Sequence, residues 1–142
     1  MPSKQILVVE DEPSIAETLV HVLSEQGFEA TRVATILEAR ETLENNIYSA
    51  IVLDCGLPDG NGFDFCKEIR KTNEIPILFL TARSDEIDKI VALEIGADDY
   101  VTKPFSPREV SARLKAIIKR VQEPMPVDQK IQFIVSEEKK KI

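Results

Sequence analysis

Four apolar, strand-like runs in this chain are each followed by a side chain that can do polar chemistry. Glu10 and Asp11 follow Ile6-Leu7-Val8-Val9, and Asp54 follows Ala50-Ile51-Val52-Leu53. Thr81 follows Ile77-Leu78-Phe79-Leu80, and Lys103 follows Tyr100-Val101-Thr102. The lip of a buried strand is where open α/β sheets place their ligands. An acidic pair, a further Asp, a hydroxyl and an ammonium in such places suit one reaction class: phosphorylation of a carboxylate assisted by a divalent cation.

Charge explains the suitability. Three carboxylates crowded together repel one another, and each disfavours ionisation of the next. A hard cation such as Mg²⁺ (or Mn²⁺) resolves the conflict, because it takes oxygen ligands from one or two carboxylates, waters and a phosphate. Asp11 and Asp54 are the expected direct ligands, and Glu10, longer by a methylene, acts through water. The backbone carbonyl of Cys55 is a further ligand that needs no particular side chain. Asp54 keeps one oxygen for attack on phosphorus, Lys103 neutralises charge on the transferring group, and Thr81 donates to a phosphoryl oxygen. No general base is required, since a carboxylate is ordinarily ionised near neutral pH.

Each residue alone has a plainer explanation. Asp54 could be a turn former ahead of Gly56-Leu57-Pro58-Asp59-Gly60. Glu10-Asp11-Glu12-Pro13 could be an acidic helix start, Thr81 a cap and Lys103 a surface charge. Coincidence at all four strand ends is much less plausible than the joint reading. His21, the single histidine, sits mid-helix beside an apolar stripe and reads as a partly exposed packing residue. Cys55 and Cys66 have no metal-site spacing and read as reduced thiols.

The elements that must position these residues alternate strand and helix. Strands are expected at 4–10, 28–33, 48–54, 75–81 and 99–103. The first helix, 13–26, opens on Pro13, carries Ile15, Leu19, Val22 and Leu23 on one stripe, and stops at Gly27. Leu37, Ala39 and Leu43 mark a second helix; Phe63, Cys66 and Ile69 form the inner face of a third. A fourth spans 85–95 and ends at Gly96, and a fifth spans 107–121 with Val110, Leu114, Ile117 and Val121 inward. Near-continuous apolar strands between amphipathic helices indicate a doubly wound α/β fold, a parallel sheet covered on both faces. Five βα units without a dinucleotide-binding glycine motif favour the flavodoxin-like strand order 2-1-3-4-5. In that order the first, third and fourth strands are neighbours, so the acidic pair, Asp54 and Thr81 share one pocket.

Bulk properties are compatible with this arrangement. A chain of 142 residues, 43% hydrophobic, has material for one compact core and a short extension. A net charge of −7 argues against nucleic-acid binding by the body of the chain, and Glu137 and Glu138 offset the cluster Lys139-Lys140-Lys141. No apolar run approaches the roughly 20 residues that span a bilayer, and the start lacks leader-peptide character. The expectation is a cytoplasmic protein with no membrane contact.

With these residues in view, a resemblance is plain. Val8-Val9-Glu10-Asp11-Glu12, Leu53-Asp54 with Leu57-Pro58 and Gly62, Leu80-Thr81-Ala82-Arg83, and 96–105 from Gly96 to Phe105 are similar to bacterial response-regulator receiver domains. The match covers residues 4–121. It implies a CheY-like (βα)₅ fold in which Asp54 accepts a phosphoryl group from the histidine of a partner sensor kinase. It further implies Mg²⁺ at Glu10, Asp11, Asp54 and the Cys55 carbonyl, with Thr81 and Lys103 reading the phosphate. Lys103-Pro104 would be a cis peptide, Pro104 closing a tight turn, and Tyr100 would swing inward with Thr81 as a switch. Such a domain is no enzyme in the ordinary sense; it modifies itself and slowly loses the group.

Thr81-Ala82-Arg83, Gly96-Ala97-Asp98-Asp99-Tyr100 and Lys103–Glu109 resemble the OmpR/PhoB group of winged-helix transcription regulators. That resemblance implies a homodimer on phosphorylation through the fourth helix, fifth strand and fifth helix. The intermolecular ion pairs would be Lys89 with Glu109, Asp99 with Arg113 and Asp98 with Arg120, around an apolar centre of Ile90 and Leu93. Ser111 stands where a small apolar residue is usual. The expected organisation is a receiver at 1–121, a linker at 122–130 containing Pro124 and Pro126, and at 131–142 the truncated start of a winged-helix effector domain or a mobile tail. DNA would then be reached only through an effector region this chain does not carry. Two alternatives stay open on sequence alone: a haloacid-dehalogenase-type phosphatase, although Asp54-Cys55-Gly56 lacks the second acid of Asp-x-Asp, and a phosphate-blind interaction module.

Overall fold

The computed structural model describes residues 3–82 and 86–122, with backbone only at 86–89, 121 and 122. Five parallel strands form the sheet: β1 (Lys4–Val9), β2 (Phe28–Val33), β3 (Ala50–Asp54), β4 (Ile77–Thr81) and β5 (Asp99–Thr102). Their spatial order is β2-β1-β3-β4-β5, the order expected from the alternation. Between them run α1 (Pro13–Glu25), α2 (Ile36–Asn45), α3 (Gly62–Arg70) and α4 (Glu86–Glu94), and α5 (Pro107–Gln122) follows the last strand.

The strands read as continuous apolar runs because both their faces are buried. Leu7, Val9, Leu53, Ile77 and Phe79 join Ala39, Phe65, Cys66 and Ile69 in one layer beneath α2 and α3. Ile6, Val8, Val52, Leu78 and Leu80 join Leu19, Leu23, Val110, Leu114 and Ile117 in the other, beneath α1 and α5. Complete burial of each such side chain contributes about 1.5–3 kcal/mol, and that favours this register over any one-residue slip.

Local signals set the helix ends. Pro13 opens α1, where a missing N–H costs nothing. Thr35 caps α2 by accepting from the Glu38 amide, and Asn61 caps α3 by accepting from the Phe63 amide. Gly27 and Gly96 take φ of +90° and +106° just beyond α1 and α4, a region other residues avoid.

Several expectations are corrected at the residue level. Leu37 is 54% exposed; Ile36, not Leu37, faces the core at the start of α2, with Ala39 buried and Leu43 packed against that layer as expected. On α3, Phe65 is buried with Cys66 and Ile69, while Phe63 is only half-buried and tilts against Phe79 at a centroid distance of 5.0 Å. His21 is no packing residue: its exposed ring pairs with Glu25 at 2.6 Å, one turn on. The stretch after Asp54 is not a simple turn but a two-stranded ribbon in which Gly56–Leu57 pairs with Gly60–Asn61. The expected linker begins at Gln122, which ends α5; residues 123–142, the rest of that linker and the effector start, lie outside the described residues, as does Arg83, and the side chain of Val121 is not described.

Candidate functional site

The C-terminal ends of β1, β3, β4 and β5 converge on a cleft of about 580 Å³ lined by Glu10, Asp11, Asp54, Cys55, Thr81 and Lys103, together with Asn61, Phe63 and Ala82. Strand register produces the convergence. Asp54 lies opposite Leu80, and the Cys55 amide donates to the Leu80 carbonyl at 3.1 Å, one step before Thr81. The Lys103 amide in turn donates to the Thr81 carbonyl at 2.7 Å. The main-chain ladder therefore carries Asp54, Thr81 and Lys103 to one edge. The Lys103–Pro104 peptide is cis.

Lys103 Nζ lies 3.1 Å from Asp54 Oδ2 and 3.6 Å from Glu10 Oε2. Glu10, Asp11 and Asp54 each offer an oxygen within 4.8 Å of the others, with Glu10 and Asp54 buried and Asp11 exposed. Glu10 Oε2 is buried without a hydrogen bond, the Lys103 ammonium standing just beyond that range, while Oε1 accepts from the Glu12 amide at 3.3 Å. Burial, then the neighbouring Asp54, pushes the Glu10 carboxyl up to about 7, against the opposing pull of Lys103. Burial works against the Lys103 ammonium, but Asp54 and Glu10 overcome it and hold its pKa above the ordinary value. An orphaned, buried carboxylate oxygen beside two further acids is a donor set of hard oxygens, and it fits a small divalent cation.

The loop after Asp54 is tightly built. The Cys55 carbonyl accepts from the Gly62 amide at 2.8 Å. A Cβ on Gly62 would lie 2.3 Å from the Asp54 carbonyl oxygen, so only glycine lets α3 start this close to the site. Asp59 reaches from the ribbon to the start of α2, where its two carboxylate oxygens accept from the Ile36 and Leu37 amides at 2.9 and 3.0 Å. Those bonds hold its carboxyl below the usual range.

The residues expected at a dimer face behave less simply. Ile90 and Leu93 are exposed on α4 at 51% and 47%. Asp99 already pairs within the chain with Arg113, at 2.9 Å, and Asp98 with Arg70, at 3.0 Å. Glu109 and Arg120 are exposed on α5, Ser111 is buried with its hydroxyl unpartnered, and the side chain of Lys89 lies outside the described residues. Tyr100 is half-buried against the layer containing Phe79.

Sequence reading did not assign Asn61, Phe63 and Ala82 to the cleft walls; Asn61 stands there at the end of the ribbon, Phe63 in the first turn of α3 and Ala82 just after β4. It also missed Arg32, whose guanidinium reaches the Glu10 and Asp11 carbonyls.

A doubly wound sheet with this acid, hydroxyl and ammonium set at its C-terminal edge is the architecture of a receiver, and residues 6–115 match the model of the response regulator receiver domain. The chain belongs to that family. Within it the likeness runs to OmpR/PhoB-type regulators. The chain is 44% identical over 131 residues to the transcriptional regulatory protein CreB of Escherichia coli, which covers 89% of this chain and 57% of CreB. It is 46% identical over 115 residues to the sensory transduction protein RegX3 of Mycolicibacterium smegmatis, covering 81% and 50%. Among solved structures, a Francisella response-regulator receiver domain superposes with a TM-score of 0.81 at 33% identity, covering 84% of this chain and 99% of that one. The Thermotoga maritima OmpR/PhoB homolog DrrB gives 0.76 at 32%, covering 83% and 54%. The chain spans about half the length of the curated relatives it matches. Membership of this family sets aside the dehalogenase-type phosphatase. Among the described residues, no helix is long and apolar enough to cross a membrane.

Proposed function

We propose that this chain is the phosphoacceptor of a two-component pathway and that Asp54 is the residue modified. The observation that carries this reading is the placement of Lys103 Nζ 3.1 Å from a buried Asp54 carboxylate beside the acidic pair. An Asp54 oxygen attacks the phosphorus of a phosphohistidine on a partner sensor kinase. The new O–P bond forms as the N–P bond to the imidazole breaks. Lys103 faces the charge accumulating on the phosphoryl oxygens. Thr81, at the next strand end, donates its hydroxyl to the arriving group. Glu10, Asp11, Asp54 and the Cys55 carbonyl would hold Mg²⁺ or Mn²⁺, which when bound supplies charge neutralisation to the phosphoryl group.

The output in this reading is a surface. Thr81 and Tyr100 move together as a switch, and the face formed by α4, β5 and α5 changes its affinity for a second copy. Residues 1–121 act as the receiver, 122–130 as a linker, and an effector region in a longer parent protein would carry DNA binding and control of transcription in the cytoplasm. Slow self-hydrolysis returns Asp54 to its resting form.

Incubation with a small acyl phosphate and Mg²⁺, followed by intact mass measurement, tests the central claim. The expected result is one added phosphoryl group, acid-stable and base-labile, absent in Asp54→Asn. An adduct that persists in Asp54→Asn removes Asp54 as the residue modified, and no adduct on the unsubstituted protein favours the phosphate-blind interaction module.

A further inference from the structure

We propose that Arg32 is a positioning residue for the divalent-ion site, holding Glu10 and Asp11 by their main chain; the proposal rests on the ion-binding reading given above. β1 and β2 pair in register from Lys4 with Phe28 to Val9 with Val33, and the Glu10 amide adds one more bond, to the Val33 carbonyl at 3.1 Å. There the two chains part, β1 toward α1 and β2 toward α2. The carbonyls of Glu10 and Asp11 are left without a strand opposite them. Arg32 fills that place from the edge strand: Nε donates to the Glu10 carbonyl and Nη2 to the Asp11 carbonyl, both at 2.9 Å.

One rigid planar group thus bonds two consecutive peptide units. These two peptide planes flank Asp11, and with the Glu10 amide held to Val33 they fix the direction in which the side chains of residues 10 and 11 leave the backbone. That direction brings Glu10 inward and Asp11 to the rim of the cleft, within 4.8 Å of each other's oxygens and of Asp54. A flexible acidic loop would relax, because three clustered carboxylates push one another apart. Arg32 is exposed and adds nothing to either core layer. Its two bonds act on the acidic loop alone.

Position and charge here have opposite signs, which makes the proposal decidable. As a mere positive charge beside a cation site, Arg32 weakens binding of a divalent ion, and its removal would tighten it. As a positioning group it strengthens binding. Partners that orient metal ligands are typically worth 10- to 100-fold in affinity, whereas an exposed guanidinium is screened by water and salt.

The test is calorimetric titration of Mg²⁺ into the full chain and into Arg32→Ala, Arg32→Gln and Arg32→Lys, with amide spectra and amide hydrogen exchange of the metal-free proteins. All three variants should bind Mg²⁺ about tenfold more weakly, Lys included, because it keeps the charge and loses the fork. The Asp11 and Glu12 amides should exchange faster in each variant without metal. Unchanged or tighter binding by Arg32→Ala and Arg32→Gln overturns the proposal, as does full retention of affinity by Arg32→Lys. If Mg²⁺ leaves the Glu10, Asp11 and Asp54 resonances of the unsubstituted protein unmoved, the ion-binding reading itself fails, and that result appears before any variant is made.

Discussion

At the scale of single residues, Glu10 is the costliest group in the resting site. It has a buried oxygen that makes no hydrogen bond, and its carboxyl is pushed up to about 7 by burial and by Asp54. A carboxyl whose pKa is higher folded than unfolded binds its proton more tightly in the folded chain. Its contribution to stability is fully present below the unfolded value of about 4.5 and is lost as pH rises through about 7. Metal-free protein should therefore lose stability over that window, and Glu10→Gln, which cannot ionise, should remove this component of the loss. Urea midpoints of both proteins in chelator between pH 5 and 8 check it. The two curves should diverge toward higher pH, with the variant the more stable; parallel curves would show that Glu10 ionises freely.

At the scale of elements, the edge of the sheet opposite the cleft is tied by one side chain. Arg70, at the end of α3, donates Nε to the Gly96 carbonyl at 2.8 Å and Nη1 to the Asn73 and Ile75 carbonyls at 3.2 and 2.7 Å. Its Nη2 meets Asp98 Oδ2 at 3.0 Å, and that same oxygen accepts from the Ile77 amide at 2.8 Å. A single guanidinium joins α3, the start of β4 and the turn into β5. Its stem also packs where a Cβ on Gly96 would stand, 3.0 Å away. Arg70→Ala removes the part-buried donors to the Gly96 and Ile75 carbonyls and the Asp98 partner, and should destabilise the fold by about 2–4 kcal/mol. A fall in the urea midpoint at constant m-value is the expected measurement. A loss below about 1 kcal/mol would mean that water replaces the guanidinium.

The same scale shows what was legible beforehand. The strands were, because burial on both faces leaves runs such as Ile51-Val52-Leu53 without polar interruption. The placement of the carboxylate, hydroxyl and ammonium at one cleft was, because each sits where such a run stops. The inward residue at the start of α2 was not: Ile36 and Leu37 are equally apolar, and only the Thr35 and Asp59 caps settle which one faces inward. The ribbon at 56–61 was not, since two-residue strands have no periodicity to read. Arg32 and Arg70 were invisible for a deeper reason. Their partners are mostly main-chain carbonyls brought near by the fold, and a carbonyl has no signature in the sequence.

At the scale of the whole molecule, magnitudes decide what would hold the proposed dimer together. Two of the three acidic residues of its face are already engaged, Asp99 with Arg113 at 2.9 Å and Asp98 with Arg70 at 3.0 Å. An intermolecular partner would have to share or displace these bonds, so its net gain is small, within the 0.2–1 kcal/mol typical of exposed pairs. The apolar residues have no such competition. Ile90, Val91 and Leu93 stand 51%, 37% and 47% exposed on α4, and covering a large aliphatic side chain contributes about 1.5–3 kcal/mol when burial is complete. The ion pairs then select register and partner, while the apolar centre supplies the affinity. Sedimentation of the phosphorylated chain should accordingly show a dimer that Leu93→Glu weakens by at least about 100-fold, since a carboxylate replaces a buried aliphatic group in each copy. Arg113→Ala should weaken it by less than about fivefold. The reverse order of effects would place the binding energy in the charges and overturn this account of the face.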